Sequence, residues 1–81
     1  MKTKEAIMLR FQELLSAHDM TLNALANASG VTPSSVYSMF DQQSRKDVGI
    51  LLIKKLCDGL EISLKEFFDA DIFNALDQEI E

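Results

Sequence analysis

The sequence predicts an all-α fold built as a single domain. Apolar residues recur at three- and four-residue steps through most of the chain, and no stretch alternates apolar and polar residues as a half-buried strand does. With 81 residues, 47% hydrophobic and 26% charged, there is material for one core only. Three Gly and one Pro exclude a collagenous or low-complexity chain, and one cysteine excludes an internal disulfide. Cys57 is therefore expected as a reduced core residue of a cytoplasmic protein, the alternative being an intermolecular thiol.

The first helix is expected from Lys4 to His18, where Ile7, Phe11, Leu14 and Leu15 form a stripe and Glu5, Arg10, Gln12 and Glu13 lie off it. His18 beside Asp19 reads as a polar helix end. Thr21 is an N-cap candidate for a second, two-turn helix carrying Leu22, Leu25, Ala26 and Ala28 and ending at Gly30. Thr32 can cap a third helix, with Pro33 at the first helical position, where a missing N–H costs nothing. That helix runs to about Phe40 and is expected to bury Val36, Met39 and Phe40.

Asp41 to Gly49 is polar and charged and reads as the longest loop. A fourth helix, Ile50 to Leu60, sets Ile50, Ile53, Leu56, Cys57 and Leu60 on one face. Ser63 caps a fifth over Leu64 to Phe68, with Glu66 placed as in a capping box. Residues 1–69 thus form the main domain. Residues 70–81 form an acidic extension in which Asp71 to Glu81 reads as a short amphipathic helix with Ile72, Phe73, Leu76 and Ile80 on one side.

Charge is unevenly placed. Residues 1–57 carry seven bases and five acids, a balance of +2, whereas residues 58–81 carry one base and eight acids, a balance of -7. The overall -5 belongs to the tail and does not veto an earlier nucleic-acid face. The basic N-terminus leads into an apolar run that stops at Arg10. That is too short for a secretion signal, and nothing approaches the ~20 apolar residues of a membrane span. No membrane partner is expected. Twelve residues after Asp69 leave no room for a sensing domain, so no small-molecule ligand is expected either.

The informative stretch is Thr21 to Phe40. Ala26 is small where two helices cross, Gly30 tolerates positive φ in the turn between them, and Leu25, Val31, Val36 and Met39 sit where contacts fixing the inter-helix angle fall. The run MTLNALANASGVTPSSVYSM (Met20 to Met39) resembles the helix-turn-helix of Xre/Cro-type, lambda-repressor-like bacterial and phage regulators. The later run IKKLCDGLEISLKEFFD (Ile53 to Asp69) is similar to the two closing helices of that family. The resemblance spans Glu5 to Asp69. It implies a five-helix bundle with a short C-terminal extension, whose third helix enters the major groove of double-stranded DNA, usually as a homodimer on a palindrome.

Carried over by position, the resemblance assigns base-edge or nearby contacts to Thr32, Pro33, Ser34, Tyr37 and Ser38, and phosphate contacts to Thr21, Ser35 and the following loop. Many relatives have Gln at the start of the second helix and Gln, Asn or Arg on the recognition face. This chain has Leu22 and a Ser/Thr/Tyr set. Without Arg, Asn or Gln from Thr32 to Met39, bidentate readings of guanine and adenine are missing there, and hydroxyl bonds and apolar contacts remain. Gln42, Gln43, Arg45 and Lys46 are placed to restore polar or phosphate contacts.

These readings point to a DNA-binding transcriptional regulator that represses by excluding polymerase. The competing class is a protein-interaction module, antitoxin-like or adaptor, whose acidic tail grips a partner. No catalytic residues, cofactor or metal are expected. A His18–Cys57 dyad lacks a third group, and paired Cys or His ligand spacings are absent. The stripe Ile72, Phe73, Leu76 and Ile80 is expected to pack against a second copy as a dimer interface, the alternative being its own bundle.

Overall fold

In the computed structural model, which describes residues 1–80, five α-helices follow one another: α1 Thr3–Ala17, α2 Leu22–Ser29, α3 Pro33–Phe40, α4 Ile50–Gly59 and α5 Leu64–Phe68. A 3-10 turn over Asp71–Asn74 comes last, and no strand occurs among the described residues. This is the all-α architecture the periodicity predicts. The apolar stripes converge on one core: Ile7, Phe11, Leu14 and Leu15 from α1, Leu25 and Ala26 from α2, Val36 and Met39 from α3, Ile53, Leu56 and Cys57 from α4, then Leu60 and Phe67. Phe11 and Phe67 stack at a 4.5 Å centroid separation. Truncating either to Ala would cost about 3–5 kcal/mol in lost transfer energy and cavity formation. Burial, and secondarily the neighbouring Asp58 charge, pushes the Cys57 thiol up to about 11, so it stays protonated in the core.

Three helix ends share one geometry. After α1, α2 and α4 the chain takes a left-handed residue: Asp19 at φ 53°, Gly30 at φ 69° and Glu61 at φ 60°. In each case the next amide reaches back to a carbonyl in the helix's last turn: Met20 to Leu15 at 2.9 Å, Val31 to Ala26 at 3.1 Å and Ile62 to Cys57 at 3.0 Å. The donors Met20, Val31 and Ile62 are apolar and pack against the core. Each end is thus a Schellman closure, satisfying orphan carbonyls while turning an apolar side chain inward. The sequence signalled only Gly30, because Asp and Glu are uncommon at such positions.

α2 and α4 approach closely at Gly59. A methyl group on Gly59 would lie 2.1 Å from the Ser29 hydroxyl and 3.2 Å from the Ser29 backbone. The Ser29 hydroxyl is itself buried without a hydrogen-bond partner among the described residues. α5 is tied to α1 by Arg10, whose guanidinium donates to the Phe67 and Glu66 carbonyls, each at 2.8 Å. A cation on the last carbonyls of a short helix satisfies acceptors that the helix cannot. Arg10 also pairs with Glu13.

Some local expectations are corrected. Ser63 caps α5 by accepting from the Glu66 amide at 3.0 Å, but the reciprocal half of the box is not among the hydrogen bonds of the described residues. Ile50, the first residue of α4, is 59% exposed rather than in the core, and the buried face of α4 starts at Ile53. The helix expected over Asp71 to Glu81 is helical only as the single 3-10 turn, and Glu81 lies outside the described residues. Tertiary contact displaces the helix. Phe73 packs on Phe67 and Phe68 at 5.8 and 5.0 Å, and the chain then passes the start of α1 without regular secondary structure. There the Asp77 amide donates to the Met1 carbonyl at 2.9 Å, and Glu79 accepts from the Thr3 amide and hydroxyl at 2.9 and 3.0 Å. Lys2, at the α1 N-cap position, offers no side-chain cap, so Glu79 serves as one from the far end of the chain.

Because Glu61 is exposed and its left-handed backbone penalises a Cβ by roughly 1–2 kcal/mol, Glu61→Gly should raise stability by ~1 kcal/mol. For a domain of this size that corresponds to about 4–8 °C in Tm. A melting curve at or below the wild-type midpoint would contradict the role of this turn.

The contacts of Asp77 and Glu79 with the start of α1 should respond to acid. The Thr3 amide, and then its hydroxyl, hold Glu79 below the usual carboxylate range. The hydrogen bond from the Met1 ammonium, and then its charge, do the same for Asp77. Depressed folded values mean that the stabilisation is complete above the unfolded pKa of about 4 and is lost as pH falls through the lower folded value. The Thr3 amide resonance should therefore titrate with a midpoint below that of an ordinary Glu, and Glu79→Gln should abolish the titration. A midpoint at the ordinary value would show that the bond does not form.

Candidate nucleic-acid interface

The outward surface of α3 arises from the chain that precedes it. The Thr21 hydroxyl accepts from the Ala24 amide at 3.1 Å and starts α2, as its position predicts. α2 lasts eight residues and buries Leu25 and Ala26 completely. The left-handed Gly30 then ends α2 and turns the chain, and Pro33 opens α3 at its first position. Val36 and Met39 point into the core, which leaves Pro33, Ser34, Ser35 and Tyr37 exposed and Ser38 half-buried.

Thr32 stands at the cap position but does not cap through its side chain. Its hydroxyl instead hydrogen-bonds the Ser35 hydroxyl at 3.0 Å and the Ser34 hydroxyl at 3.3 Å. The Ser35 amide is satisfied by the Thr32 carbonyl at 3.0 Å. The start of α3 therefore displays a cluster of three hydroxyls, each able to rotate its hydrogen toward an acceptor or away from it.

The loop after α3 is organised rather than open. The Asp41 carboxylate accepts from the Gln43 amide at 2.9 Å, the Ser44 hydroxyl accepts from the Lys46 amide at 3.3 Å, and the Lys4 ammonium donates to the Ser44 carbonyl at 2.9 Å. This anchoring to α1 leaves Gln42, Gln43, Arg45 and Lys46 exposed. Between the loop and α3 lies a cleft of about 310 Å³ lined by Ser34, Ser35, Ser38, Lys46 and Asp47 and by the apolar Met39, Val48 and Leu52. The structure thus brings Ser34, Ser35, Ser38 and Lys46 together around one concavity, while Thr32, Pro33 and Tyr37 do not line it and Gln43 and Arg45 stand on the same loop as Lys46. Thr21 stands apart at the start of α2.

The sequence profile of the Cro/C1-type HTH DNA-binding domain matches residues 10–71. The chain belongs to this family. Its fold is shared with the crystal structure of prophage Lp1 protein 11, at 34% identity and a TM-score of 0.79, covering 94% of this chain and all of the other. No curated protein matches the chain.

Within this Cro/C1-type domain two side chains have duties that the sequence did not signal. Arg10 is engaged with α5 and Glu13, so it is not a free surface cation. Asn23, on the first turn of α2, accepts a hydrogen bond from the Tyr37 hydroxyl at 3.2 Å and joins the outer faces of α2 and α3. No periodicity or motif marks a pair 14 positions apart on two helices. Among the described residues no group of three or more His, Cys, Asp or Glu is placed to hold a metal ion, and no helix is long and apolar enough to cross a membrane.

Proposed function

We propose that this Cro/C1-type chain is a sequence-specific transcriptional repressor that lays α3 in the major groove of promoter DNA and excludes polymerase. The observation carrying the reading is the exposed hydroxyl and tyrosine face of α3 set beside the anchored loop, which holds Arg45 and Lys46 exposed alongside Asp41 and Asp47. In this reading Thr32, Pro33, Ser34, Tyr37 and Ser38 meet base edges through hydroxyls and apolar contacts, while Thr21, Ser35, Gln43, Arg45 and Lys46 meet the backbone. Hydroxyls lack the bidentate geometry of Arg or Asn, so discrimination per half-site is modest. A homodimer reading two half-sites offsets this. Ile72, Phe73 and Leu76 are half-buried and Ile80 is 83% exposed, so the dimer contact of the tail centres on Ile80 and the open edges of Ile72 and Leu76.

Fluorescence titration at two salt concentrations tests the DNA reading. Ser34→Ala or Ser38→Ala should change sequence preference by ~1 kcal/mol, whereas Arg45→Ala or Lys46→Ala should weaken all sequences together and lower the salt slope by about one. If the wild-type chain shows no salt-dependent DNA binding, the protein-interaction class replaces this function.

Sedimentation tests the dimer separately. The wild-type chain should be dimeric at tens of micromolar, and Ile72→Glu combined with Ile80→Glu should render it monomeric with much weaker binding to a palindromic site. A monomeric wild type would discard the tail interface.

A further inference from the structure

We infer that Asn23 is a further DNA-contact residue, its amide nitrogen donating to a phosphate oxygen of the duplex backbone, and that Tyr37 is the positioning residue holding that amide; the inference rests on the DNA-binding reading above. Residues 32–39 carry no amide or guanidinium side chain, and the Asn23–Tyr37 bond brings an amide to the edge of that face from α2. Both side chains are exposed, so their bond buries nothing and contributes little to the core. What it does is orient. The Tyr37 hydroxyl donates to the amide oxygen at 3.2 Å, and no other side-chain hydrogen bond involves Asn23 among the described residues.

An amide held in this way presents two N–H donors, its oxygen already facing Tyr37. Bidentate reading of adenine needs donor and acceptor from the same amide edge. A phosphate oxygen needs only the donor, and Asn23 lies two residues beyond Thr21 on the first turn of α2, beside a residue assigned to the backbone. Fixing the amide before binding lowers the entropy lost when it meets DNA. The Tyr37 ring remains available to apolar contact.

The test uses the full chain with a duplex selected from random DNA by the wild type and an unselected duplex of equal length. Asn23→Ala should weaken both about tenfold, the loss of one hydrogen bond to a charged group, with sequence preference, salt slope and Tm unchanged. Asn23→Asp, which keeps the acceptor for Tyr37 but repels phosphate, should lose more than Asn23→Ala. Tyr37→Phe should weaken binding in the wild-type background and have no further effect beside Asn23→Ala. Unchanged affinity in Asn23→Ala, an altered sequence preference, or wild-type affinity in Asn23→Asp would overturn the contact. Additive losses from the two positions would overturn the positioning role. Failure of the wild type to bind either duplex would overturn the proposed function and this inference with it, whereas wild-type binding with silent Asn23 variants overturns this inference alone.

Discussion

The left-handed closure that ends α1, α2 and α4 is the constraint on which the remaining geometry depends. A short helix leaves its last carbonyls unpaired, and a chain that simply continued outward would also carry its next apolar residue into water. Turning through Asp19, Gly30 and Glu61 solves both problems at once, since Met20, Val31 and Ile62 donate to those carbonyls and pack on the core. Two of these turns accept the steric penalty of a Cβ. The hydrogen bond and the apolar contact at each offset it.

From those turns follows the placement of the outward face of α3. The closure at Gly30 sets where α3 begins, and Val36 and Met39 then choose which side of α3 is outward. α2 is held in turn by α4, where the missing side chain of Gly59 admits Ser29. Arg10 holds α5 through its carbonyls, and Lys4 holds the loop that carries Arg45 and Lys46. α1 thus anchors both ends of the bundle, and its own first turn is closed by Glu79 from the tail.

A face rich in hydroxyls has chemical consequences. Thr32 bonds both Ser34 and Ser35, so any polar partner that met these hydroxyls would exchange one hydrogen bond for another and net little energy. Formal charge in this region lies in the loop, where Arg45 and Lys46 stand with Asp41 and Asp47, and none lies on α3. On the same face the Tyr37 hydroxyl of α3 donates to the Asn23 amide oxygen of α2, a polar tie between the two helices at the surface.

The sequence by itself determined the helices of the bundle, because a periodicity of three and four residues admits only one buried stripe per helix, and Thr21, Gly30, Pro33 and Ser63 mark ends by local chemistry. It also determined which α3 side chains face outward, since the buried positions of so short a helix leave the rest by elimination. Tertiary structure alone decided the tail. Ile72, Phe73, Leu76 and Ile80 have helical spacing, yet docking of Phe73 on Phe67 and the bonds of Asp77 and Glu79 to Met1 and Thr3 outweigh a helix of a few turns, which is weak in isolation. It likewise decided the exposure of Ile50, the duties of Arg10 and Lys4, and the Asn23–Tyr37 pair. Each of these joins residues far apart in the chain, and periodicity records only what a residue's own helix requires.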